Sequence, residues 1–162
     1  MSTTSREGLL EFMNQAVERC IEHVEDGGLP FVGVLVDDSG MISDFGVNKV
    51  LETHDPTAHA EIVAMREVLE QHDREDLSGT ALLATGEPCG LCYRFALDNG
   101  VKAIFVAVDR NAVAKWGFDY RASYPALGIT ETLRASVFNH LPAENGTEPF
   151  SRYLKKQDSH EH

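Results

Sequence analysis

Thr57-Ala58-His59-Ala60-Glu61 and, 26 residues on, Glu87-Pro88-Cys89-Gly90-Leu91-Cys92 decide how this chain is read. Together they supply one imidazole, two thiols three residues apart, and a carboxylate two residues from the imidazole. Zinc favours nitrogen and sulfur ligands in a tetrahedron, and a catalytic site keeps its fourth position open. His59, Cys89 and Cys92 make three zinc ligands. Glu61 is left over, close to the metal and free to move protons.

The flanking sequence puts both pieces at helix N-termini. Residues 58–72 read as a helix whose buried side is Ile62, Val63, Met65, Val68 and Leu69. Two residues on a helix differ by about 200° of rotation, so only near its start can His59 and Glu61 address one centre. The positive end of the helix also suits negative charge. Pro88 is suited to open a second helix, where its missing amide hydrogen costs nothing. Thiolates are favoured at such an N-terminus.

Working outward, 80–85 reads as a strand feeding the cysteine turn, and Asn99-Gly100 closes its helix before a strand at 101–108 that is apolar apart from Lys102. Upstream, 8–25 carries apolar residues at three- and four-residue steps, with Gly27-Gly28 as its left-handed cap. A strand at 31–36 turns at Asp37-Asp38-Ser39-Gly40 into a hairpin partner at 41–47. Further strand and helix signals lie at 129–137 and 148–155, the latter with Phe150, Tyr153 and Leu154. This order predicts a three-layer α/β/α domain on a mixed five-stranded sheet whose later strands run parallel. One domain over 1–157 is expected, with 158–162 as a disordered tail.

Composition limits the function. The 162 residues, 43% apolar and 25% charged, suit one globular domain. No apolar run is long enough to span a membrane, and the N-terminus lacks the basic start and apolar block of a signal peptide. Three cysteines, two with C-x-x-C spacing, favour metal over disulfides and a cytoplasmic location. The net charge of −12, from 26 acidic and 14 basic residues, repels a polyanion. Nucleic-acid binding draws its affinity from cations on phosphates. A small neutral partner is therefore expected, and neither nucleic acid nor membrane.

Several residues have two readings. Cys20 lies in the apolar stripe of the first helix and is a fourth zinc ligand or a buried inert thiol; the behaviour of free cysteines favours the thiol. Asn48, at a strand end, is a turn residue or an amide facing a pocket. The aromatics of Lys115-Trp116-Gly117-Phe118-Asp119-Tyr120 form a satellite core or a ligand platform, and Trp116 and Tyr120 are its candidates for substrate contact. His54 and His72 read as structural.

The H-x-E and P-C-x-x-C pair matches the signature of zinc-dependent nucleobase deaminases. From about Leu9 to Tyr120 the chain resembles the cytidine-deaminase superfamily, in the branch holding bacterial guanine deaminases and tRNA adenosine deaminases. Asp55-Pro56-Thr57-Ala58-His59-Ala60-Glu61 and Glu87-Pro88-Cys89-x-x-Cys92 carry that likeness. Pro30-Phe31 with Gly33, Asn48-Lys49-Val50 and Gly117-Phe118-Asp119 resemble the guanine deaminase side. The resemblance implies His59, Cys89 and Cys92 as zinc ligands and Glu61 as proton shuttle. The Ala60 amide would sit near the attacking oxygen, Asn48 would donate to the heterocycle, and Phe31 would wall the pocket. It also implies a homodimer with exchanged C-terminal segments.

Three departures from the family pattern stand out. Tyr120 stands where guanine deaminases have a second aspartate, Gly90-Leu91 replaces Pro-Met, and Gly86 stands where Cys or Ala is commoner. The expected function is zinc-dependent hydrolytic deamination of a free base, a guanine-like purine first, then cytosine, azacytosine or a triazine. A nucleoside or tRNA editor shares the motif. A non-catalytic zinc domain would need a fourth protein ligand and gives Glu61 no task.

Overall fold

The computed structural model describes residues 5–160, with the side chains of Ser159 and His160 left aside. Helix α1 (Arg6–Glu25) starts where Ser5 accepts a hydrogen bond from the Gly8 amide, and ends before Gly27, whose φ of +100° suits glycine. Strand β1 (Val32–Asp37) follows, and the expected hairpin partner is broken into β2 (Gly40–Met41) and β3 (Gly46–Val47). The cause is Ser43. Its hydroxyl accepts the Leu35 amide at 2.9 Å, so a side chain replaces a backbone rung between the two short strands.

After the turn α2 (Val50–Thr53) come α3 (Ala60–Gln71), β4 (Ala81–Gly86), α4 (Gly90–Asp98), β5 (Ala103–Val108) and α5 (Arg110–Lys115). The short helices α6 (Ser123–Ala126) and α7 (Glu131–Val137) lead into β6 (Phe138–His140) and α8 (Glu148–His160). The sheet order is β2-β1-β4-β5-β6, with β3 also on β1. Strand β1 is antiparallel to its neighbours; β4, β5 and β6 are parallel. The mixed sheet and parallel later strands agree with the sequence reading.

The strand expected at 129–137 is instead mostly helix. Thr130 caps α7 by accepting the Leu133 amide at 3.1 Å, and Glu131 sits in the first turn. Its β-branched residues are thus a cap and a buried helix end rather than a strand, and pairing with β5 begins only at Phe138. Helix α8 runs past Gln157 to His160, across the start of the segment 158–162 expected as a tail; 161–162 and 1–4 lie outside the described residues.

Both sheet faces are buried, which explains the continuous apolar strands. On one face Leu35, Leu82, Ala84, Ile104 and Val106 meet Ile62, Met65 and Val68 of α3 and Tyr93 and Ala96 of α4. On the other, Val34, Val36 and Leu83 meet Met13, Val17 and Cys20 of α1 and Phe150 of α8. Each buried Leu, Val or Ile contributes about 1.5–3 kcal/mol relative to exposure. Helix α8 is tied to α1 of the same chain, with Lys156 donating to the Glu25 carbonyl at 2.7 Å and Arg152 3.4 Å from its carboxylate. Among the described residues no helix is long and apolar enough to cross a membrane.

Candidate active site

The site lies where α3 and α4 begin. His59 and Cys89 are the two N-caps, both extended (φ −67°, ψ 155° and φ −70°, ψ 174°), and neither side chain caps its own helix. They turn toward each other instead. Each ligand thus sits one residue earlier than a first-turn position, which lets His59 and Glu61 face one centre. Helix α3 comes close enough because Gly33 of β1 has no side chain: a Cβ there would lie 2.8 Å from the Glu61 Cα. Helix α4 receives its cap from outside, since Ser123 Oγ accepts the Gly90 amide at 2.8 Å.

His59 Nδ1 lies 3.4 Å from Cys89 Sγ and 3.5 Å from Cys92 Sγ, and the two sulfurs are 3.7 Å apart. A zinc tetrahedron with Zn–S of about 2.3 Å and Zn–N of about 2.0 Å has S···S edges of about 3.8 Å and S···N edges of about 3.5 Å. The triangle therefore fits zinc in both donor type and size. Among the described residues these three form the candidate metal cluster, and Cys20 is not in it. Cys20 is fully buried, 3.8 Å from Thr85 Oγ1, with burial pushing its thiol up to about 12. It is the inert thiol of the two readings, so it is not available as the fourth ligand that a purely structural zinc site would need.

Beside the triangle sits Glu61, 4% exposed, accepting from Cys92 Sγ at 3.4 Å. Burial, and then the Cys89 charge, push its carboxyl up to about 7. A carboxyl at that value takes up and gives back protons at neutral pH. Cys89 moves the opposite way: hydrogen bonding to Cys92, and then the His59 ring, hold it down to about 4 despite partial burial. A ready thiolate of this kind suits a metal ligand.

A cavity of about 170 Å³ opens onto this cluster. Its lining includes the expected Phe31, Asn48, His59, Ala60, Glu61, Cys89 and Tyr120. Asn48 serves both of its readings: its Oδ1 accepts the Val50 amide at 3.1 Å, a turn contact, while the residue also borders the cavity. Trp116 does not line it. It stacks on Phe150 with ring centroids 6.3 Å apart, one layer behind the wall. The reason is local: it closes the short helix α5, and the chain reaches the cavity only after Gly117 turns it.

Tyr120 presents its ring to the cavity, while its hydroxyl donates to the Glu87 carbonyl. Leu29, Glu87 and Phe118 complete the lining. Phe118 packs edge-on against Phe31, centroids 5.2 Å apart. It lies inside the quoted Gly-Phe-Asp segment, so a signal for it existed. Leu29, a lone apolar residue in a loop, offered none.

Comparison with known proteins agrees with this geometry. Residues 6–108 match the family described as the cytidine and deoxycytidylate deaminase zinc-binding region. The chain is 31% identical over 143 residues to guanine deaminase of Bacillus subtilis, across 88% of this chain and 91% of that protein. It is also 31% identical over 152 residues to tRNA-specific adenosine deaminase of Aquifex aeolicus, across 90% and 93%. The X-ray structure of guanine deaminase from Bacillus subtilis matches with a TM-score of 0.67 at 30% identity, over 90% of this chain and 92% of that one. Matched through both ligand-bearing helices, the chain belongs to the cytidine and deoxycytidylate deaminase family and is a zinc-dependent hydrolytic deaminase.

Proposed function

We propose that this enzyme deaminates a free nucleobase or similar small aminated heterocycle, with a guanine-like purine as first choice, and releases ammonia. The observation that carries the reading is the cavity itself. Phe31, Phe118, Tyr120 and Leu29 give it apolar walls, and its polar lining comes from Asn48, His59, Glu61, Glu87 and Cys89. Its volume is well below the roughly 300–1,000 Å³ of sites for drug-sized ligands. Such a space suits a flat ring without a sugar. The net charge of −12 supports the same choice over tRNA, even though tRNA adenosine deaminases are equally similar in sequence.

His59, Cys89 and Cys92 would hold the zinc, which when bound would lower the pKa of a water to about 7. Glu61 accepts the proton of the attacking water. As the water oxygen adds to the amino-bearing ring carbon, Glu61 returns that proton to the ring nitrogen. Glu61 then takes the proton of the newly added hydroxyl and passes it to the amino group, the C–N bond breaks, ammonia leaves, and a carbonyl remains. The Asn48 amide, its Oδ1 held by Val50, keeps its NH₂ as a donor to the ring. Phe31 and Tyr120, packed against each other with ring centroids 6.3 Å apart, form one apolar wall for the ring.

A second reading, pyrimidine or triazine rings, is favoured by Tyr120. Its hydroxyl is committed to a backbone carbonyl, so it does not supply the strong acceptor of a carboxylate for the hydrogens of a purine edge. Ammonia release from zinc-loaded protein is measured on guanine, adenine, cytosine, azacytosine, a melamine-type triazine, cytidine and guanosine. The proposal expects guanine ahead and both nucleosides poor. A nucleoside turned over best would overturn it, and a pyrimidine or triazine in front would move the assignment to the second reading.

A further inference from the structure

Two residues before Cys89, the carboxylate of Glu87 is fully buried and collects four donors. Arg134 reaches it with Nε at 2.6 Å and Nη2 at 3.0 Å, Tyr93 with its hydroxyl at 2.7 Å, and Arg110 with its backbone amide at 2.8 Å. Arg134 itself is clamped, its guanidinium 4.0 Å from the Phe138 ring centroid. The backbone around Cys89 is held from the same side. Tyr120 donates to the Glu87 carbonyl, Tyr124 to the Pro88 carbonyl, and Ser123 accepts the Gly90 amide. Arg110, Tyr120, Ser123, Tyr124 and Arg134 all lie beyond residues 6–108, the part that the family model matches. This chain's own C-terminal third therefore grips its ligand turn.

We propose that Arg134 is a positioning residue: through its two-point grip on Glu87 it sets the Cys89 turn and the adjoining Tyr120 wall, and so the rate at which the site lets zinc go. A planar guanidinium bound at two points fixes direction as well as distance, which a lysine ammonium cannot do. Partners behind the ligands commonly govern metal affinity by about 10- to 100-fold. The competing account makes the pair a plain stability element, since breaking a buried ion pair destabilises any fold.

The test uses the zinc-loaded enzyme with Arg134→Lys and the double variant Glu87→Gln/Arg134→Met. The double variant leaves no unpaired buried charge: the glutamine oxygen can accept the Arg110 amide and its NH₂ can donate to the Tyr93 oxygen. Zinc transfer to excess chelator well below the melting temperature, and the thiolate-to-metal absorption of the cobalt-substituted protein, are read beside thermal stability. We expect about tenfold faster zinc release and a shifted cobalt band in both variants, with the double variant close to wild type in melting temperature. Wild-type release and spectrum in the double variant would overturn the proposal, whether or not stability moved. If Arg134→Lys does not fold, the double variant decides alone. These readouts concern the metal, so an error in the substrate assignment leaves them intact.

Discussion

Gly86 lies behind the pocket wall, against Phe31 and Phe150. A Cβ built there lies 2.9 Å from Phe31 Cε1 and 3.1 Å from both Phe31 Cδ1 and Phe150 Cζ. Relaxed carbon contacts need about 3.5–4.0 Å, so Gly86→Ala must push one ring back by about half an ångström or more. Neither ring is loose: Phe31 meets Phe118 and Phe150 edge-on at 5.2 Å and 5.6 Å. Overpacking of this kind costs about 1–3 kcal/mol. The lower entropy of the unfolded alanine chain returns about 0.4–1 kcal/mol, leaving a net loss of about 1–2 kcal/mol. At about 2–4 °C per kcal/mol for a chain of this size, the melting temperature falls by about 2–8 °C. Phe31 also lines the cavity, so its displacement raises KM while zinc content stays at wild type. Thermal denaturation and steady-state kinetics on Gly86→Ala read both effects. Adding Phe31→Leu should recover part of the lost stability, because the two sites share one contact. An alanine variant as stable as wild type with unchanged KM would refute the reasoning.

Three further outcomes follow from the same contacts. Tyr120→Phe removes the hydroxyl bonded to the Glu87 carbonyl and should cost about 1–3 kcal/mol, seen as a lower urea midpoint with an unchanged slope. In zinc-stripped native protein at pH 6, iodoacetamide should modify Cys89, held down to about 4, and leave Cys20, pushed up to about 12, until the chain is unfolded; mass mapping reads the order. Asp55 is held down to about 2, from 3.8, by hydrogen bonds from the Thr57 hydroxyl and amide and then from Arg66. Its contribution is complete above pH 3.8 and is lost as the pH falls through about 2. Asp55→Asn should therefore flatten the fall in melting temperature between those values in zinc-free protein; an unchanged slope would remove Asp55 from the acid response.

How much of this was readable beforehand depended on sequence distance. His59, Glu61, Cys89 and Cys92 occupy the ends of two helices, so local spacing was enough to bring them to one centre. Helix α1 and strands β1, β4 and β5 followed from periodicity and from glycine caps, because burial on one or both faces leaves that imprint. What escaped was set by side chains meeting across the fold. Ser43 splits a strand by bonding Leu35, and nothing in its neighbours announces it. Thr130 turned a run that looked like strand into a capped helix. Glu87 and Arg134 are 47 residues apart, and each alone looks like an ordinary surface charge. Trp116 had the right composition for a pocket and the wrong place, because Phe150 of α8 claims its ring.

The role of Glu61 is the claim on which the chemistry depends, and Glu61→Gln tests it most directly. The amide keeps the shape beside Cys92 but cannot carry the proton. Zinc content and kcat/KM for ammonia release from the best base are measured together on wild type and variant. The account predicts one zinc per chain in both, with kcat/KM lower by about 10²–10⁴-fold in the variant. A zinc-loaded Glu61→Gln enzyme turning over near the wild-type rate would contradict it.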